Sequence, residues 1–414
     1  MTVTPASREL LAIHGGPAVR KTLLPYGHQS IDEADIQAVV DTLRSDWLTT
    51  GPKIAEFEEA FAARTGARHA VSFSSGTAAL HAAAFTAGLK KGDEAITSPL
   101  TFVATANCVL YQQAVPVFAD VSPDTLNLDP EKAAARITPR TRAILPVDYA
   151  GHPADLTAIL ELAERHGLLV IEDASHALGA EYKGRQVGSL AHMTVFSFHP
   201  VKHITTGEGG MVTTDNPKFA ETLRRFRNHG ISSEARQRQS AGQWHYEMVL
   251  LGFNYRLTDI ACALGIQQLK KLEANLSRRR QIAARYTEAF REIPELVPPA
   301  VRDDVNPAWH LYPIRIDRVK LKADRGQVFQ ALRAENIGVN VHYIPVHRHP
   351  YYRERFGYRG GEYPVAEAAY EQLISLPMFQ GMSDQDVEDV IRALRKTVNY
   401  YAGEDEIRQL IPGA

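Results

Sequence analysis

One lysine, Lys202, stands between an apolar run and a glycine-rich turn in the stretch 195–210, V-F-S-F-H-P-V-K-H-I-T-T-G-E-G-G. A lysine held between a buried strand and a tight turn is desolvated, which lowers the pKa of its amine and makes it nucleophilic toward an aldehyde, with which it forms an imine. About thirty residues earlier, L-L-V-I-E-D-A-S-H (168–176) sets Asp173 at the carboxyl end of an apolar run. Earlier still, V-S-F-S-S-G-T-A-A-L (71–80) reads as strand, small polar turn and helix. The backbone N–H groups at such a helix start, with the Ser75 and Thr77 hydroxyls beside Gly76, form a phosphate site. Alone, a lysine on a loop, an E-D pair after a strand or a Ser-Gly-Thr turn is commonplace. The ordered set of phosphate turn, strand-end aspartate and strand-borne lysine is far more specific.

The elements that must position these residues follow from periodicity. Strands are expected at 69–73, 94–97, 115–119, 143–147, 168–172 and 194–198, with helices such as 75–87 and 154–165 between them. The alternation predicts an α/β domain, a mostly parallel sheet between helices, with its ligand at the carboxyl ends of the strands. A capping box at 30–33 is expected to open an amphipathic helix, and a second amphipathic helix carries Ile54, Phe57 and Phe61. The turn at 182–185 reads as a hairpin, and 237–243 as a mobile polar loop. A helix at 258–275, continuing to about 291, leads toward a smaller C-terminal α+β domain with strands at 311–316 and 338–343 and helices at 327–335 and 384–395. The expected division is an N-terminal arm (1–25), a large domain (26–262), and a connecting helix with the small domain (263–414).

Composition narrows the class. With 414 residues the chain has room for a large domain plus a smaller one. Lys+Arg 46 against Asp+Glu 48 gives a net charge of −2, which argues against a nucleic-acid or other polyanionic partner. Cys108 and Cys262 lie in apolar surroundings and offer no disulfide framework or metal site. The long uncharged run inside 94–120 is interrupted by prolines and amides and reads as a buried helix, not a membrane span. No signal-peptide core opens the chain, so a cytoplasmic enzyme is expected.

The ordered set resembles pyridoxal-phosphate (PLP) enzymes of the aspartate-aminotransferase fold, and within them the sugar aminotransferases of the DegT/DnrJ/EryC1/StrS family. The resemblance runs from about residue 25 to about 382. It rests on W-L-T-T-G-P (47–52), G-D-E (92–94), T-F-V-A-T-A-N (101–107), D-Y-A-G (148–151), E-D-A-S-H (172–176), S-F-H-P-V-K (197–202) and G-F-N-Y-R (252–256). It implies that Lys202 carries the cofactor aldehyde as an imine and later shuttles protons, and that Asp173 keeps the pyridine nitrogen protonated. Ser75, Gly76, Thr77 and Ser197 would then hold the phosphate, Phe102 would stack on the ring, and His176 would bond the phenolic oxygen or cover the ring. Asn254 and Arg256 match a motif that reaches into a neighbouring subunit's site, implying a homodimer. Tyr26, His310, His342 and Tyr343 lie where substrate contacts are expected.

The resemblance is nearest to 4-aminotransferases of UDP-linked 4-keto sugars, with L-glutamate as the expected amino donor. Some stretches look like the pseudaminic acid enzymes, V-H-Y-I-P (341–345) among them; others, such as I-T-P-R-T (137–141), look like those making 4-amino-4-deoxyarabinose. A related sugar dehydratase replaces the lysine with histidine; here the lysine is present and His203 is merely adjacent. A PLP-binding regulator would carry a DNA-binding segment before the body, and about two dozen residues before Pro25 are too few for one.

Overall fold

The computed structural model of the chain describes residues 9–232, 238 and 242–402. A seven-stranded sheet runs in the order His69–Phe73, Gly210–Thr214, Met193–Ser197, Leu169–Asp173, Thr141–Leu145, Glu94–Thr97, Val115–Phe118. The five strands from Met193–Ser197 to Val115–Phe118 pair in parallel. Gly210–Thr214 is antiparallel to both its neighbours. That strand follows so closely on the glycine turn that the sequence reads it as the end of the turn; its five residues are all buried.

Alternation along the strands divides the core, because successive side chains point to opposite faces. Val195 and Val212 join Ala78, Ala79 and Ala82 of helix Gly76–Thr86 on one face. Phe196 and Met211 join Phe57, Phe61 and Ile266 on the other. Phe61 meets Phe196 and Phe198 with ring centroids 5.1 and 5.5 Å apart. The parallel strands therefore present their carboxyl ends, and Asp173 and Ser197 with them, along one edge.

A second, antiparallel sheet of Leu296–Val297, Tyr312–Ile316 and Leu373–Leu376 lies on helices Leu272–Phe290, Arg325–Ala334 and Asp384–Ala402. Leu11 and Leu24 of the N-terminal stretch are buried in this core, and Glu335 accepts the backbone N–H groups of Ala12 and Val19. The expected hairpin forms between Glu181–Tyr182 and Arg185–Gln186.

Three expectations shift. The first helix, Glu33–Leu43, is capped by Asp32 with Asp35 in a reciprocal box, not by Ser30. The long helix is two, Asp259–Lys270 and Leu272–Phe290, divided at Lys271, whose amine pairs with Asp32 and Asp35. The segment 338–343 is not a strand: Asn340 alone bridges Ser375, and His342 Nδ1 bonds the Ser375 hydroxyl at 2.9 Å. Most of the 237–243 loop lies outside the described residues. Among the described residues no helix is long and apolar enough to cross a membrane.

Candidate active site

A cavity of about 510 Å³ opens at the carboxyl ends of Leu169–Asp173 and Met193–Ser197, lined by every expected site residue except Asn254. Helix Gly76–Thr86 brings Ser75, Gly76 and Thr77 to one end; Ser75 is its N-cap, its hydroxyl accepting the Ala78 N–H at 3.1 Å. A Cβ on Gly76 would lie 3.0 Å from the Cβ of Ser197, so glycine lets the helix start close tightly on the strand that carries Ser197. Lys202 follows that strand by five residues, and its backbone N–H is held by the carbonyl of His199 at 2.9 Å. Tyr26, His310, His342 and Tyr343 form the opposite wall with Asn340 and Val341.

The Asp173 carboxylate is almost fully buried and fixed from two sides. Oδ2 accepts from the Thr105 hydroxyl at 2.7 Å, and Oδ1 from the Ser175 hydroxyl at 2.6 Å and backbone N–H at 3.1 Å. A carboxylate has about four lone-pair positions, so it can still accept from a further donor in the cavity. Burial pushes the Lys202 amine down to about 7, against the opposing pull of Asp173 and with the help of Arg279. The lysine is therefore largely neutral, and nucleophilic, from mildly alkaline pH upward. Burial also holds His176 and His310 well below the usual imidazole range and His342 at about 3, so all three are neutral.

Behind Asp173 lies a second acidic pair. Asp148 and Glu172 are fully buried. Asp148 Oδ1 accepts from the Ala154 N–H at 2.9 Å and Glu172 Oε2 from the Thr194 hydroxyl at 2.7 Å, while Asp148 Oδ2 and Glu172 Oε1 have no donor. A proton shared between them satisfies both oxygens. Burial and the Glu172 charge raise Asp148 well above the carboxylate range, and burial raises Glu172 to about 7.

The cavity fits pyridoxal phosphate. The donor set offers N–H and hydroxyl groups at a helix start for a phosphate, a carboxylate with spare acceptor capacity for a pyridinium N–H, and a desolvated amine for an aldehyde. His176 supplies an independent sign: its Nε2 bonds the Tyr343 hydroxyl at 2.9 Å, but its Nδ1 is buried with no partner. A buried polar atom of that kind is one that a bound group would satisfy.

Sequence reasoning overlooked several contributors. Thr105 and Ser175 sit inside quoted motifs, so their bonds to Asp173 were within reach of a closer reading. Asn340 and Arg279 carry no local signal. Fully buried Arg279, on the helix Leu272–Phe290, donates to the carbonyls of Trp309, His310 and Met378 at 3.0–3.2 Å. Asn254 is exposed and lies outside the cavity, in a bridge with Asn228. Arg256 bonds Asn228 at 2.8 Å.

Fold and site together define a PLP-dependent aminotransferase. Residues 29–395 match the DegT/DnrJ/EryC1/StrS aminotransferase family, and the chain belongs to that family of sugar aminotransferases. It is 47% identical over 381 residues to the spore coat polysaccharide biosynthesis protein SpsC of Bacillus subtilis, covering 92% of this chain and 98% of SpsC. Among solved structures it resembles Helicobacter pylori PseC, an aminotransferase involved in the biosynthesis of pseudoaminic acid, with a TM-score of 0.85 and 33% identity over 92% of this chain and 100% of that one. It is also similar to the PLP form of Spr1654 from Streptococcus pneumoniae, with a TM-score of 0.86 and 32% identity over 92% and 99% of the two chains.

Proposed function

We propose that the enzyme transfers an amino group from an amino acid, L-glutamate foremost, to C4 of a UDP-linked 4-keto sugar, a 4-keto-6-deoxy-N-acetylhexosamine above all. The observation that carries this reading is the wall opposite Asp173: Tyr26, His310, Asn340, His342 and Tyr343 are neutral groups that donate and accept hydrogen bonds. The hydroxyl and N-acetyl groups of a sugar ring call for such partners. The likeness to PseC supports a nucleotide sugar of the pseudaminic type, and that to SpsC supports a sugar destined for a polysaccharide.

Bound pyridoxal phosphate supplies an aldehyde and an electron-withdrawing ring that stabilises negative charge on the adjoining carbon. The chain does the rest. Ser75, Gly76, Thr77 and Ser197 would hold the phosphate, and Phe102 would cover the ring. Asp173, fixed by Thr105 and Ser175, would keep a proton on the ring nitrogen. His176 would use its free Nδ1 toward the ring's oxygen. Lys202, about half deprotonated near pH 7, would take a proton from the donor's α-carbon and return it to the carbon on the far side of the transferred nitrogen.

The site is proposed to be shared in a homodimer, with Asn254 serving the partner's phosphate. In support, Asn254 does not line its own cavity, and its neighbourhood exposes large apolar side chains, with Trp244 83% and Leu251 73% accessible. A single-turnover panel tests the substrate. The loaded enzyme is exhausted with L-glutamate, freed of keto acid, and offered each 4-keto nucleotide sugar in turn. The expected substrate restores the starting absorbance fastest; failure of every nucleotide sugar rejects the assignment.

A further inference from the structure

The contact with His310 Nε2, 3.4 Å away, is the single hydrogen bond found for the Lys202 amine among the described residues, and the His310 tautomer sets its direction. The imidazole is held from several directions. Gly151, at φ +96°, packs so closely that a Cβ there would lie 2.8 Å from Trp309 N and 2.9 Å from His310 N. Leu311 N–H donates to the Ala150 carbonyl at 3.2 Å. Arg279 grips the carbonyls of Trp309 and His310 from the other side. The ring lies against His176, with centroids 4.4 Å apart, and near His203 at 5.6 Å.

The other nitrogen of His310, Nδ1, is buried with no partner. That makes the two tautomers unequal. With the proton on Nδ1, an N–H is buried unpaired, and Nε2 can only accept, as an ammonium would require. With the proton on Nε2, it donates to a neutral amine, and the orphan is a bare acceptor nitrogen, the cheaper group to leave unsatisfied. We propose that His310 is a positioning residue that holds the free Lys202 amine by its lone pair through an Nε2–H donor, rather than a sugar contact alone. Whenever Lys202 carries no carbon substituent, this bond keeps the amine neutral and on the cavity floor. The charged groups facing the pair are Asp173, which favours the ammonium, and Arg279, which opposes it; the titratable rings of His176, His203 and His342 face it as neutral imidazoles.

The inference rests on Lys202 as the reactive amine, but its test needs neither cofactor nor sugar. The full-length chain, freed of bound carbonyl compounds with hydroxylamine and dialysis, is trace-labelled with acetic anhydride across pH 5.5–10, and acetylation of Lys202 is read by mass spectrometry against surface lysines such as Lys183. Glutamine in place of His310 can accept from an ammonium as easily as it donates to an amine, so the bias is lost. In His310→Gln the midpoint for Lys202 should rise by roughly one pH unit, a tenfold lower neutral fraction below it, with the surface lysines unmoved. His310→Asn gives the same direction should the first variant not fold. An unchanged midpoint in either folded variant overturns the proposal. Failure of the sugar panel would instead leave this result standing.

Discussion

At one end of the cavity, Ser75, Gly76 and Thr77 meet Ser197 across a strand and a helix start, all within the seven-stranded domain. At the other, Tyr26, His310 and the 340–343 segment converge from three distant stretches, beside the small antiparallel sheet. The first end works through backbone N–H groups and a glycine packed tightly against Ser197. The second works through neutral rings whose protons are placed by burial and by carbonyls gripped by Arg279. The difference teaches where the chemistry is constrained: the proposed cofactor end is fixed by local geometry, while the proposed sugar end is set by how distant stretches of the chain meet.

That contrast can be broken at its hinge first. Lys202→Ala should abolish turnover, on the order of 10⁴-fold or more, and remove the absorbance of lysine-bound cofactor, with phosphate-mediated binding retained; ordinary turnover in that variant would sink the assignment. Next, Asp173→Asn should cost a few kcal/mol of transition-state stabilisation, roughly 10²–10³-fold in kcat, with little loss of thermal stability. Near-native kcat with cofactor bound would show that the carboxylate charge is not used.

The proposed second subunit sharpens the cofactor end. Asn254→Asp places a carboxylate against a phosphate and should lower activity by roughly 100-fold. Mixed dimers of Lys202→Ala and Asn254→Asp chains would contain one site with both residues intact, so activity should reappear on subunit exchange. Continued inactivity in verified heterodimers means that Asn254 serves its own chain.

The buried Asp148–Glu172 pair gives a smaller effect, on stability. Both groups bind their proton more tightly in the folded chain than when unfolded, so stability falls as pH rises from about 4.5 toward the folded value of about 7 for Glu172 and stays lowered above it. Glu172→Gln should flatten that slope, worth on the order of 2 kcal/mol between pH 5 and 8. Parallel melting-temperature profiles in the two proteins would reject the shared proton. Smallest of all, Tyr343→Phe removes one hydroxyl bonded to His176 and should raise KM for the keto sugar several-fold, about 1 kcal/mol, with kcat for the glutamate half-reaction unchanged. An equal loss in both half-reactions would place Tyr343 at the cofactor end instead.

Much of the cofactor end was legible in the chain itself. Strands 69–73 and 94–97 were placed to the residue, because each is a short stretch with β-branched or aromatic residues bounded by polar turns. Asp173 could be singled out because it closes the apolar run 168–171, and Lys202 because it falls between the strand 194–198 and a glycine turn. Less legible were Gly210–Thr214, too close to a turn to show its own period, and 338–343, whose strand-like composition is spent on lining a cavity.

What the amino-acid sequence determined alone is therefore what depends on neighbours along the chain: strand and helix periods, the helix start at Ser75, the aspartate at a strand end and the lysine in the turn after the next strand. What only the tertiary structure decided is what depends on neighbours in space. Thr105 and Ser175 share Asp173, Asp148 and Glu172 are each buried with one oxygen that has no donor, and His310 is brought to the Lys202 amine with Arg279 behind it. Protonation states and hydrogen-bond partners are set by desolvation, and desolvation exists only once distant segments have closed over a group.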